Sequence, residues 1–259
     1  MSTSDQTTHA GAALSVVNLK CEYEREPLGL DTAAPRFSWH NVSEQRGAVQ
    51  TAYRIVVSSK ASGFEQDGIV WDSGRVESSQ SVNIAYAGKP LASRTRYWWR
   101  AQVWNGRGES SDWSAASEFE MAFLGQDEWQ AQWIRGGNLF RKSFNIEPAA
   151  EIVRARMYIS GLGYYVLSVN GAKVGDHVLD PAWTDYDQKA FYVTYDVTSA
   201  IKNGENAIGV MLGNGRYSPN DETVEKSWHP LKKYGPSPVL IVQQHIEFAD
   251  GSELVVVSD

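Results

Sequence analysis

Apolar and polar residues alternate along most of this chain with a period of two, in short runs. Tyr53, Ile55 and Val57 interleave with Arg54, Val56 and Ser58. Tyr97, Trp99, Ala101 and Val103 interleave with Trp98, Arg100, Gln102 and Trp104. Successive side chains of an extended strand point to opposite faces, so each run predicts a strand with one face on a core. Further strands are predicted around Phe37 and Trp39, at residues 69–71 and 82–86, and around Phe119 and Met121. Turns fall at Asp72-Ser73-Gly74 and Asn105-Gly106-Arg107-Gly108. Regular short strands with no helical period predict an all-β sandwich for this half.

Gly125-Gln126-Asp127-Glu128 is short and polar and reads as a linker between residues 14–124 and 129–259. Residues 1–13, small and polar, read as a disordered N-terminus. In the second half, Phe140 and Phe144 flank a polar run. Val153, Ala155, Met157 and Ile159 alternate with Arg154, Arg156, Tyr158 and Ser160, which predicts a half-buried strand. The strand at 164–169 ends in Asn170-Gly171, a strong hairpin signal. A strand follows near 191–195, then a short helical turn capped by Asp196 or Thr198. Strands at 207–212, 239–248 and 254–257 complete the pattern, with a tight turn at Gly213-Asn214-Gly215 and a polar loop at 217–235.

Composition narrows the function classes. The 259 residues carry a net charge of -7. Lys232-Lys233 is only a pair, so the chain lacks the basic clusters that a nucleic-acid backbone requires. Cys21 is the lone cysteine, which rules out an internal disulfide and predicts a small buried hydrophobe. The first residues lack a basic, apolar leader, and no stretch approaches the length of a membrane span, so a cytoplasmic location with no membrane partner is expected. The five histidines show no metal-ligand spacing, and neither a phosphate-cradling glycine loop nor a Gly-x-Ser-x-Gly elbow occurs. With 10 Trp and 12 Tyr, the chain has aromatics enough for both sandwich cores and sugar-stacking faces.

Two resemblances add to this. Leu91 to Tyr97 followed by a strand and Asn105-Gly106-Arg107-Gly108 resembles the F-strand region of fibronectin type III domains, which implies a tyrosine corner at Tyr97. Val169-Asn170-Gly171, Pro181-Ala182-Trp183-Thr184-Asp185-Tyr186, Asp196-Val197-Thr198, Gly204-Glu205-Asn206 and Leu212-Gly213-Asn214-Gly215 together resemble the N-terminal jelly roll of bacterial α-L-rhamnosidases, glycoside hydrolase family 78. Pro35-Arg36-Phe37-Ser38-Trp39 and Val70-Trp71-Asp72-Ser73-Gly74 fit the first module of the same enzymes. The resemblance implies a fibronectin-like sandwich, then an incomplete jelly roll. It also implies an accessory region of an inverting glycosidase whose catalytic (α/α)6 barrel is not in this chain but is its natural partner. A stand-alone, non-catalytic lectin or scaffold is the alternative.

The expected chemistry follows from that resemblance. Glycoside hydrolysis uses two carboxylates. The family keeps its pair in the barrel, so Asp176, Asp180, Asp185, Asp187, Asp221, Glu222 and Glu225 are read as turn and cap residues, and no catalytic residue is assigned. Some members bind rhamnose on the jelly roll with calcium taking part. Planar contacts for a sugar ring and fixed polar groups for its hydroxyls are offered by Tyr164, Trp183, Asp185, Tyr186, Asn214 and Trp228. Asp185 and Asp187 would supply hard oxygen ligands to calcium, the one cofactor considered, though none is required. Packing of the same loop against the barrel is the competing reading. Trp98 and Trp104 are open to two readings in the same way, ligand contact or cover by another domain.

Overall fold

The computed structural model describes residues 14–64, 67–147, 151–220 and 233–259. Residues 1–13, expected to be disordered, lie outside the described residues. The chain divides into two compact units, Met1–Gly125 and Gln126–Asp259. Among the described residues no helix is long and apolar enough to cross a membrane.

The first unit contains β1 (Ser15–Cys21), β2 (Leu28–Leu30), β3 (Arg36–Val42), β4 (Gln50–Ser58), β5 (Ile69–Asp72), β6 (Val76–Glu77), β7 (Ile84–Ala85), β8 (Arg96–Asn105) and β9 (Ser117–Met121). They form a three-stranded sheet, β1-β3-β7, and a larger one in the order β2-β9-β8-β4-β5, with β6 also on β4. The predicted inward faces fill the core. Phe37 and Trp39 of β3, Ile55 and Val57 of β4, and Trp99, Ala101 and Val103 of β8 are all buried together. Cys21 is buried among them, and burial, then the Glu22 charge, pushes its thiol far up. The tyrosine corner is present: the Tyr97 hydroxyl accepts the backbone N–H of Ala92 at 2.8 Å. Trp98 and Trp104 are half-buried, and the Arg75 guanidinium lies over the Trp104 ring at 4.9 Å. The strand expected at 82–86 shrinks to Ile84–Ala85. Asn83 takes a positive φ of 57°, which breaks the extended backbone and leaves Val82 exposed.

The second unit contains β10 (Leu139–Ile146), β11 (Ile152–Leu162), β12 (Tyr165–Val169), β13 (Ala172–Lys173), β14 (Val193–Asp196), β15 (Gly204–Leu212), β16 (Val239–Phe248) and β17 (Glu253–Val257). Two four-stranded antiparallel sheets result, β10-β15-β12-β13 and β14-β11-β16-β17, and one apolar core draws on both. Among the described residues, eight strands in two sheets match jelly-roll architecture. Asn170 and Gly171 both take positive φ, as a type I′ hairpin between β12 and β13 requires. Gln126–Glu128 forms a 3-10 turn.

β11 departs furthest in polar character from its expected environment, though Val56 and Ser58 on the outward face of β4 are buried as well. β11 is buried on both faces from Ala155 onward. Its outer face carries Arg156, Tyr158 and Ser160, and each is accommodated. Arg156 pairs with Asp196 at 2.8 Å, Tyr158 packs edge-on to Tyr192 and His245, and the Ser160 hydroxyl donates to the Phe191 carbonyl. The segment after Glu128 belongs to this face. Gln243 accepts the N–H groups of Gln130 and Ala131 and donates to the Glu128 carbonyl, while Trp129 packs on Tyr192.

Candidate functional site

The candidate site gathers on two loops, one from Leu179 to Asp187 and one beginning at Gly213. The second is locked against the turn between β11 and β12 by glycines that no other residue replaces easily. Gly163 has φ +128°, and a Cβ placed on it would lie 2.2 Å from the Gly213 carbonyl oxygen. Gly215 has φ +46°, and its Cβ would lie 2.0 Å from the Gly163 carbonyl oxygen. The two turns are thus in backbone-to-backbone contact. The Gly213 N–H donates to the Tyr164 carbonyl across them, at 2.9 Å.

The root of the first loop is held by Asp180. Its backbone carbonyl accepts the Tyr165 N–H at 3.2 Å, and its carboxylate accepts the Tyr195 hydroxyl at 2.9 Å and meets His177 Nδ1 at 2.7 Å. Burial pushes the Tyr195 phenol up to about 12, and the neighbouring Asp180 carboxylate contributes to the rise. Asp180 therefore anchors the loop, as a turn Asp is expected to.

Beyond this root, the loop presents Trp183, Asp185 and Tyr186 to a tyrosine cluster. Tyr186 meets Tyr217 at 5.4 Å and Tyr234 at 5.1 Å, both edge-on, and Tyr217 stacks on Tyr234 at 6.2 Å. The Tyr234 hydroxyl donates to Asp185 Oδ1 at 3.3 Å. Burial raises the Tyr186 phenol, Tyr164 and Tyr234 add to the rise, and the Arg216 charge opposes it. The Arg216 guanidinium lies 5.8 Å from the Trp183 ring centroid, while the indole itself is 61% exposed. Edge-on and stacked rings at these distances make a rigid platform, and an exposed indole beside it offers the flat apolar face a sugar ring uses.

Of the expected site residues, the structure brings Tyr164, Trp183, Asp185 and Tyr186 to this cluster. Asn214 lies against Gly163 through its backbone, and its side chain is exposed. Trp228 lies outside the described residues, as do Asp221, Glu222 and Glu225. Tyr217, Tyr234 and Arg216 were not among the expected residues. The signal for them is aromatic density at the two ends of the polar loop, Arg216-Tyr217 and Tyr234-Gly235. For a cation, the described loop offers Asp185 and Asp187. The Asp185 carboxylate already accepts the Gln188 side-chain N–H at 3.0 Å, the Asp187 N–H and the Tyr234 hydroxyl. Among the described residues no group of three His, Cys, Asp or Glu side chains converges on a metal position. This donor set does not by itself fit a resident calcium ion, which takes six to eight oxygens.

Comparison with known proteins gives the lineage. Residues 16–125 match the Rha78A-like, N-terminal immunoglobulin domain, and residues 150–259 match the α-L-rhamnosidase N-terminal domain. An α-L-rhamnosidase of Formosa agariphila is 36% identical over 90% of this chain and 28% of its own length. The solved α-L-rhamnosidase from Dictyoglumus thermophilum is 38% identical with a TM-score of 0.85, over 95% of this chain and 29% of that one. The Streptomyces avermitilis α-L-rhamnosidase, solved in complex with L-rhamnose, has a TM-score of 0.84 over 95% of this chain and 40% of its own; at 24% identity it supports the fold alone. The chain spans less than a third of the length of the curated relatives it matches. Both domains, in their order, place the chain in the α-L-rhamnosidase family as its N-terminal region.

Proposed function

We propose that this region is the non-catalytic, sugar-contacting part of an enzyme that hydrolyses terminal α-L-rhamnose from glycosides, and that the Trp183–Tyr186–Tyr217–Tyr234 cluster is the contact. The observation that carries the reading is the exposed Trp183 indole beside a packed tyrosine platform with Asp185 at its margin. The indole supplies the apolar face for a pyranose C–H surface. Asp185 and the tyrosine hydroxyls supply fixed hydrogen-bonding groups, and a site of this kind orients one sugar unit without breaking a bond.

The test is calorimetry of the purified chain with L-rhamnose, with and without calcium. Rhamnose is expected to bind at millimolar concentration, and Trp183→Ala and Asp185→Ala are expected to weaken it. No heat for any of these would leave the cluster as a packing surface and overturn the reading. The calcium arm asks whether Asp185 and Asp187 take an ion together with the sugar. In a parallel assay, the chain alone should release no chromogenic product from an aryl rhamnoside. Release would overturn its non-catalytic assignment.

A further inference from the structure

We propose that Arg216 makes this site a receptor for an acidic sugar, one that carries a carboxylate or a sulfate ester beside the ring that Trp183 contacts. The proposal rests on the sugar-contacting reading above and adds the charge of the ligand to it.

Several guanidinium groups among the described residues pair with carboxylates. Arg36 meets Glu22 at 2.6 Å, Arg54 meets Asp72 at 2.5 Å, Arg156 meets Asp196 at 2.8 Å, and Arg154 pairs with Glu247. Arg216 differs. Its Nη1 is closed off from solvent and meets no protein acceptor among the described residues. Its surroundings are aromatic: it lies over Trp183, and its charge is felt by the Tyr186 phenol. Asp185 of this loop accepts from Gln188 and Tyr234 instead.

A guanidinium carries five N–H donors in a planar fork and has no acceptor of its own. An N–H withdrawn from water without an acceptor costs stability, and a charged acceptor returns the most. The indole face holds the guanidinium in place and adds cation–π attraction. Carboxylate and sulfate oxygens match the guanidinium fork with charge-assisted bonds, whereas a single neutral hydroxyl neither matches the fork nor carries charge. The chain's net charge of -7 does not favour an anion at long range. The preference is therefore local to Arg216, and it is the kind of preference a single substitution removes.

The experiment is calorimetry with D-glucose, D-glucuronate, D-glucose 6-sulfate and L-rhamnose, on the wild-type chain and on Arg216→Gln. At least one anionic sugar is expected to bind about tenfold more tightly than glucose, the worth of one charge-assisted hydrogen bond. Whichever anion shows the gain identifies its source as a uronate or a sulfated unit. The gain should vanish in Arg216→Gln and persist in reduced form in Arg216→Lys, which keeps the charge and loses the fork. Unfolding midpoints of the variants confirm that they fold. If L-rhamnose binds and neither anion exceeds glucose, the proposal fails and the sugar-contacting reading stands. If an anionic sugar binds and L-rhamnose does not, the proposal stands and rhamnose is the wrong sugar. Silence from all four sugars sinks both, and an anion preference that survives Arg216→Gln sinks the proposal.

Discussion

Substituting alanine for Gly163 tests the element on which the site is built. Two terms add. The first is backbone strain, because φ +128° is a conformation that L side chains rarely adopt; forcing one there costs about 1–3 kcal/mol. The second is steric. The new Cβ would meet the Gly213 oxygen at 2.2 Å and the Asn214 oxygen at 2.8 Å. Both are backbone atoms, so no side chain can swing aside, and overpacking of this kind costs roughly 1–3 kcal/mol. The expected total is about 2–6 kcal/mol, with the Gly213-Asn214-Gly215 turn displaced and sugar binding lost. Gly171→Ala is the control. Its φ of +84° carries strain, but nothing lies within 4 Å of the added Cβ. Urea denaturation, with hydrogen exchange read at the amides of β12 and β15, measures both variants in the same domain. Gly163→Ala should lose clearly more stability than Gly171→Ala, and exchange should accelerate at Gly213 and Leu212. Equal losses in the two variants would refute the backbone interlock.

In the first domain, Tyr97→Phe removes the acceptor for the Ala92 N–H. It should cost about 1 kcal/mol and lower the melting temperature by several degrees, read by calorimetry. The same domain should weaken in acid. The Arg36 side-chain hydrogen bonds hold Glu22 below its ordinary 4.5, and those of Arg54 hold Asp72 below its ordinary 3.8. In both cases the unfolded chain takes up the proton first. This stabilisation is therefore full above the ordinary values and is lost as pH falls through the lower folded ones. Urea midpoints measured from neutral pH down to about pH 3 should fall over that range, and Glu22→Gln should flatten part of the slope. A slope unchanged in Glu22→Gln would count against the Arg36 pair.

The strands were legible in the sequence wherever one face met the core and the other met water. Tyr97, Trp99, Ala101 and Val103 announce β8 in this way, and all four are buried. β11 defeats the rule because both of its faces are covered. Arg156, Tyr158 and Ser160 look solvent-facing to any period-two reading, yet Arg156 is only 4% exposed. What covers them arrives from distant positions: Asp196 from β14, Tyr192 just before it, and Trp129 to Ala131, tied down through Gln243. Polar residues tolerate burial when each finds its partner, and pairing at long sequence separation leaves no periodic trace. The site divides along the same line. Trp183, Asp185 and Tyr186 stand together in one short motif and were legible from it. Tyr217, Tyr234 and Arg216 belong to segments without periodicity, and they meet that motif through contacts at long sequence separation, the turn before Arg216 being held by the Gly163–Gly215 backbone contact. A glycine required by a neighbour some fifty residues away looks, in sequence, like any turn glycine. The rings and the guanidinium on which the proposed ligand choice rests were thus the hardest to foresee, and Arg216 is the residue whose substitution would show whether that choice includes charge.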